Sequence, residues 1–284
     1  SVVVLLFSIS VNAQQKSINV NQAIDLAIQN NKELKAMSLN VNKAKTLIGS
    51  AFSFDKTVVY YNYDENNFGV NNSPIKTIGI SQNFKFPTVY FANRKVNEAH
   101  YKVEESNYKI ALNNLKKDVY LNYYQLSYAK NKVKVYQVLD SLYKVFAKAA
   151  SRRFELGETN YLELITAKSK QKQLETLFKQ AKQAVILSKE KLKKVVQIDE
   201  LSILDNPLSK LKLESISLNN NDGLLYFEKS KSYYQALHVL EKQSLLPDVS
   251  FEYFRGTDNL SNNISNGYQI GIKIPLLFSG NSSK

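Results

Sequence analysis

The chain has 284 residues, 44% hydrophobic and 22% charged, with 38 Lys and Arg against 25 Asp and Glu for a net charge of +13. This composition excludes disorder and collagen, and 9 Gly with 5 Pro point to few, long elements. The absence of Cys removes disulfides, thiol nucleophiles and thiolate metal sites, and Met37, His100 and His238 leave little else for a soft metal, so no catalytic residue, cofactor or metal site is expected.

The run Val2–Val11 is too short to span a bilayer and ends in Val11-Asn12-Ala13, with small residues where a signal peptidase reads. Residues 1–13 therefore read as part of an export signal, the alternative being a buried N-terminal strand, and the mature chain would begin at Gln14. Export argues against nucleic acid as the partner of the positive charge. Leu34, Met37, Val41, Ala44 and Ile48 then form an apolar stripe on a helix from about Lys32 to Ala51.

Two strands follow, Thr57–Tyr63 and Thr77–Phe86. In the second, Ile78, Ile80, Phe84 and Phe86 share one face while Thr77, Gly79, Ser81, Asn83 and Lys85 take the other. That alternation fits a strand with an apolar medium outside and water inside, and equally an ordinary half-buried hairpin.

Between Pro87 and Pro207 there are roughly 120 residues without proline and with one glycine, Gly157. This reads as a helical hairpin, with Gly157 near the end of the first helix and Thr159 or Asn160 capping the second. The first arm carries Leu112, Leu115, Val119, Leu126, Ala129, Val133, Tyr136, Leu139, Leu142 and Phe146 as its seam. From about Phe91 to Glu155 it would extend about 100 Å at 1.5 Å per residue. The return arm, Leu162 to about Val196, presents Leu162, Ile165, Leu174, Leu177, Ala181, Ala184, Leu187, Leu192 and Val195 and covers about half that length, the upstream helix being placed to cover the rest.

After a linker at 198–221, another helical stretch leads to strands at Asp248–Tyr253 and Tyr268–Ile274. Val59, Tyr61 and Tyr63 correspond to Val249, Phe251 and Tyr253, and Ile78-Gly79-Ile80 to Ile270-Gly271-Ile272, each pair of strands ending at a proline, Pro87 or Pro275. The expected class is mixed and mainly α, a tandem repeat. Residues 14–197 form the first copy, with its β-hairpin at about 57–86 and its helical hairpin at about 88–197. The second copy spans 222–284, with a β-hairpin at about 248–275, and reads as truncated where a further long helix is expected. Ile78, Ile80, Phe84, Phe86, Ile270, Ile272 and Ile274 are assigned to a membrane-facing surface. The aromatic residues Tyr60, Tyr61, Tyr63, Phe84, Phe86, Phe251, Tyr253, Phe254 and Tyr268 are assigned to an interfacial girdle. Four strands cannot close a barrel, so if these hairpins span a membrane several chains must share one.

An enzyme would need converging groups, and none is apparent: His100 and His238 stand isolated, and Glu104-Glu105 and Asp64-Glu65 are sequence neighbours that diverge. A periplasmic coiled-coil scaffold or adaptor with a small β domain is the main alternative.

The whole pattern resembles the TolC-like outer-membrane efflux family, the outer membrane factors. The opening helix Ile18–Asn31, the turn Arg153-Phe154-Glu155-Leu156-Gly157 continuing to Leu162, Leu164 and Ala167, and the two segments Phe86–Tyr90 and Pro275–Gly280 carry the resemblance. It implies a homotrimer whose protomers each give four strands to one transmembrane β-barrel, its outer face against outer-membrane lipid. A periplasmic helical tunnel would continue from the barrel. It further implies a periplasmic adaptor, or membrane fusion protein, docking on the hairpin tip at Arg153, Leu156, Gly157 and Glu158, and an inner-membrane RND-type pump that supplies the energy. Phe86-Pro87-Thr88-Val89-Tyr90 also resembles the branch that serves heavy-metal pumps.

Overall fold

A computed structural model describes residues 17–65, 74–205, 221–258 and 264–274. The export segment expected at 1–13, the turn expected at 275–280 and most of the linker expected at 198–221 lie outside the described residues. In chain order the elements are α1 (Val20–Asn30), α2 (Lys32–Gly49), a 3-10 turn (Ser50–Phe52), β1 (Val58–Asp64), β2 (Ile75–Phe84), α3 (Pro87–Glu155), α4 (Tyr161–Val196), α5 (Asp222–Gln243), β3 (Asp248–Asp258) and β4 (Ile264–Lys273). They fall into two compact units: residues up to Lys35 with Ala111–Ser217, and Ala36–Ile110 with the chain from Leu218 on.

The first unit is helical. Asn19 opens α1 with a capping box, its side chain accepting from Gln22 N–H while the Gln22 side chain accepts from Asn19 N–H, both at 2.9 Å. Ala23, Ile24 and Ala27 of α1 pack with Val119, Tyr123 and Leu126 of α3, Leu192 and Val196 of α4, and Leu201 and Ile203 beyond. A short parallel bridge binds the two ends of this unit: Ile18 N–H donates to Ser202 O at 3.0 Å and Leu204 N–H to Ile18 O at 3.1 Å. Tyr123 donates its hydroxyl to the same Ile18 carbonyl, and burial pushes its pKa up. Lys134 pairs with Asp205 at 2.6 Å and holds that carboxyl below its ordinary range.

Toward the hairpin turn the seam departs from expectation. Buried α3 positions recur every seven residues at Val119, Leu126, Asp140 and Ala147, with Val133 half-buried. On α4 the buried set is Leu164, Ala167, Ala181, Ser188, Leu192 and Val196. Leu142, Phe146, Leu162, Ile165 and Leu187, all expected in the seam, are exposed instead. Toward the turn the buried positions are Ala147 on α3 with Leu164 and Ala167 on α4, and several of the large apolar residues are turned outward.

In the second unit the strands form one antiparallel sheet in the order β1-β2-β3-β4. The two expected hairpins are thus fused, because β2 pairs with β3 over ten residues, from Ile75 opposite Asp258 to Phe84 opposite Val249. The two hairpins use equivalent registers: Val59 faces Ile80 as Val249 faces Ile272, and Tyr60 faces Gly79 as Ser250 faces Gly271. Below the sheet Phe54 stacks edge-on against Phe84 and Tyr90, and Lys85 N–H donates to the Tyr90 hydroxyl at 3.0 Å. That bond and Pro87, which fits the first helical position because it has no N–H to satisfy, turn the chain from β2 into α3. Phe86 is therefore in the turn, past the end of β2, and Ile274 likewise follows the last residue of β4. α2 is tied to α3 by Asn97, whose amide donates to Leu47 O at 2.7 Å, and α5 by Gln243, which accepts from the Thr88 hydroxyl.

Leu192 has no exposed surface and sits where three helices meet. Leu192→Ala should cost about 2–5 kcal/mol, read as a lowered denaturation midpoint of the helical unit; Leu187→Ala, at an exposed position, should leave it nearly unchanged.

Candidate functional site

Alternation along four paired strands sorts side chains onto two faces. One carries Val59, Tyr61 and Tyr63 of β1; Ile78, Ile80 and Phe84 of β2; Val249, Phe251 and Tyr253 of β3; and Tyr268, Ile270 and Ile272 of β4. This face is apolar yet open to solvent in the single chain: Ile270 is 73% exposed and Val59 71%. Ile78, Ile80, Phe84, Ile270 and Ile272 are thus brought together on one face, whereas Phe86 and Ile274 lie outside the strands.

The opposite face is polar, with Asn62, Thr77, Ser81, Asn83, Asp248, Ser250, Glu252, Gln269 and Lys273. Lys273 donates to Asn83 at 2.7 Å, and the Tyr60 hydroxyl donates to Glu252. Tyr60 and Phe254, expected in the aromatic girdle, stand on this polar face. One row across the sheet reads Tyr60, Gly79, Phe254, Gly267. A Cβ on Gly79 would fall 2.3 Å from the Tyr60 ring, and one on Gly267 2.2 Å from the Phe254 ring, so each ring lies down over the glycine opposite it. The apolar neighbours Val58-Val59-Tyr60-Tyr61 hid this in the sequence; the glycine opposite each ring was the available signal.

The second region is the helical turn. Glu158 N–H donates to Arg153 O at 2.9 Å and Gly157 N–H to Phe154 O at 3.0 Å, the paired bonds of a Schellman motif, with Gly157 at φ 74°. Asn160, not Thr159, caps α4, accepting from Glu163 N–H at 2.9 Å, while the Thr159 hydroxyl donates to the Glu163 carboxylate. Arg153 lies 3.8 Å from the Glu158 carboxylate, and Leu156 projects into solvent. Arg153, Leu156, Gly157 and Glu158 are therefore gathered in one turn beside a groove of about 490 Å³ lined by Phe146, Ala149, Ala150, Leu162 and Ala167 with Arg153 and Glu163.

Further along the hairpin Lys144, Lys148, Lys168 and Lys172 surround a second hollow. Asp140, buried in the seam, pairs with Lys144 at 2.7 Å and raises the pKa of that ammonium. Hydrogen bonds from Lys179 at 2.7 Å and Lys172 at 3.0 Å hold the Glu175 carboxyl down to about 2. Among the described residues, no group of three or more His, Cys, Asp or Glu is placed to hold a metal ion, and no helix is long and apolar enough to cross a membrane.

No protein-family model matches this sequence, and no curated protein does either. Solved structures do match. The transmembrane channel CusC is similar over 93% of this chain and 67% of its own, with TM-score 0.75 and 14% identity. The Campylobacter jejuni outer membrane channel CmeC is similar over 92% of this chain and 62% of its own, with TM-score 0.69 and 16% identity. The Vibrio cholerae outer membrane protein VceC is similar over 93% and 70%, with TM-score 0.70 and 15% identity. The chain thus spans about two thirds of the length of these proteins, and its fold is that of the outer-membrane channels.

A carboxyl held low adds stability that is complete above its ordinary value of 4.5 and is lost as pH falls through about 2. A carbon-detected NMR titration should give Glu175 a midpoint near about 2, rising toward 4.5 in the Lys172→Gln, Lys179→Gln variant. A wild-type midpoint at 4.5 would contradict the paired geometry.

Proposed function

We propose that this chain forms a subunit of a trimeric outer-membrane channel, a passive conduit coupled through a periplasmic adaptor to an RND-type inner-membrane pump. The observation that carries the proposal is the four-stranded sheet with one apolar face, one polar face and two edges, β1 and β4, that are unpaired among the described residues. In lipid an unpaired strand edge leaves backbone N–H and C=O groups without partners, so the edges must close on something. Strand direction alternates along the sheet, so β4 of one copy can pair antiparallel with β1 of the next in a head-to-tail ring. Two copies would make eight strands, whose interior side chains fill; three make twelve and leave a bore.

The helices support the same reading. Besides the seam that packs on α4, α3 carries a second stripe at heptad spacing: Leu121, Tyr124, Tyr128, Val135, Val138, Leu142 and Val145, all exposed in the single chain. It is the surface a neighbouring hairpin would cover in a helical tunnel. The equivalent registers of the two β-hairpins support a tandem repeat. The turn at Arg153, Leu156, Gly157 and Glu158 is the adaptor-docking surface in this proposal, and the Phe86–Tyr90 turn favours heavy-metal ions as cargo. Nothing is hydrolysed by the channel itself; the pump supplies the energy.

The direct test is the mass of the detergent-extracted protein by light scattering, corrected for bound detergent. A trimer extracted from outer membranes supports the channel; a water-soluble monomer transfers the assignment to a periplasmic scaffold. Ile80→Lys and Ile272→Lys should reduce outer-membrane assembly by roughly 2–4 kcal/mol if near mid-membrane, while Ser81→Lys and Lys273→Glu on the polar face should be tolerated. Equal tolerance on both faces would refute the orientation.

Gly157→Val should abolish export while leaving trimer yield intact. No atom stands within 4 Å of the position a Cβ would take, so the defect would come from the backbone at φ 74°, which a β-branched residue resists. Loss of the trimer itself would sink the assignment of this turn to docking.

A further inference from the structure

The apolar face of the sheet carries two full charges, Lys76 and Arg255. Their register is informative. Counting rows from the helical end, the face runs Phe84, Val249, Ile272; then Gln82, Phe251, Ile270; then Val59, Ile80, Tyr253, Tyr268; then Tyr61, Ile78, Arg255, Asn266; then Tyr63, Lys76, Thr257, Ile264. Both cations occupy the two rows farthest from the helices. They are diagonal neighbours on β2 and β3, because Lys76 faces Thr257 and Ile78 faces Arg255.

This placement is not a by-product of a basic chain. Within the strands the acids Asp64, Asp248, Glu252 and Asp258 all stand on the opposite face, and no Asp or Glu stands on the apolar face. The pair also sits on the two inner strands, whereas subunits close through β1 and β4, so the neighbouring strand cannot supply a counter-charge. The Lys76 ammonium lies over the ring of Tyr63, its cross-strand partner on β1, 6.0 Å from the centroid, which lays its stem along the apolar surface. A cation on a lipid-facing strand is tolerated near the interface and strongly disfavoured at mid-membrane. Two of them side by side repel, and lose that repulsion when an anion lies between them.

We infer that Lys76 and Arg255 form a binding site for the phosphate of an outer-leaflet membrane lipid. The inference rests on the reading of the apolar face as the lipid-facing one. A phosphate monoester fits the pair: the Arg255 guanidinium can donate two parallel hydrogen bonds to its oxygens while Lys76 adds a point charge. The acyl chains of the same molecule would then lie along the rows of Ile78, Ile80, Ile270 and Ile272. A trimer would carry three such sites.

The test uses the full chain purified in a neutral detergent and incubated with bisphosphorylated lipid A, with bound lipid counted by native mass spectrometry. Wild-type trimer should retain the phosphorylated lipid, and the Lys76→Gln, Arg255→Gln variant should retain roughly tenfold less or lower still. Lys76→Arg should retain it like wild type. Chemically dephosphorylated lipid A should be lost from wild type and variant alike. Equal retention by wild type and the double variant, with trimer yield unchanged, would overturn the inference and leave the channel reading standing. Displacement of the lipid by equimolar inorganic phosphate would overturn the lipid as the occupant. A soluble monomer that retains no lipid would remove both readings together.

Discussion

A strand in hydrocarbon must find a partner for every backbone N–H and C=O, and in the proposed channel the whole arrangement answers to that requirement. The sheet satisfies it internally between β1 and β2, β2 and β3, and β3 and β4, and leaves it open at two edges. A soluble protein would blunt such edges with charge, proline or a covering helix. Here β1 presents Val58 to Tyr61 and β4 presents Tyr268 to Ile272, with no proline in either described strand. The edges are those of a sheet made to be continued.

The same logic of incompleteness runs through the helical unit. Its seam toward α4 is built from small residues, Ala147, Ala167, Ala181 and Ser188, with Asp140 among them. Lys144 neutralises one oxygen of that carboxylate, and the other has no hydrogen-bond partner among the described residues. A buried acid at a seam position weakens the contact and disfavours a slip in register, because any shift would move it away from its lysine. Leu121, Tyr128, Val135, Val138, Leu142 and Val145 of α3 stand on a separate stripe that is exposed in one chain. A helix with two apolar stripes is suited to a wall, packed on both sides.

Some of this was legible in the sequence and some was not. The proline-free run after Pro87 and the single Gly157 mark α3, its turn and α4, because both residues act locally on the backbone. The alternation of Ile78, Ile80 and Phe84 is equally local. The pairing of β2 with β3 joins segments about 170 residues apart, and no local signal reports it. In β1, four consecutive apolar residues carry no alternation, so only the register against β2 places Tyr60 on the polar face. Of the expected seam Val119, Leu126, Ala129, Ala181 and Leu192 are buried, whereas Leu142, Phe146, Leu162, Ile165 and Leu187 are exposed, because a heptad count alone does not say which of two apolar stripes faces the partner helix. Gln197, the one non-glycine residue with positive φ among those described, gives no warning at all, since glutamine is an ordinary helix former.

The rings that lie flat over Gly79 and Gly267 bear on how freely cargo could pass. An aromatic side chain standing upright on the inner wall of a narrow tube would reach toward the axis and, repeated by symmetry, form a collar. Laid on a glycine it adds only the thickness of a ring and presents a smooth, slightly hydrogen-bonded surface, with the Tyr60 hydroxyl already committed to Glu252. In the proposed channel, two glycines would thus set the clearance at the level of that row. In the proposed conduit, resistance to flow would then depend on the missing β-carbons as much as on the charges lining it.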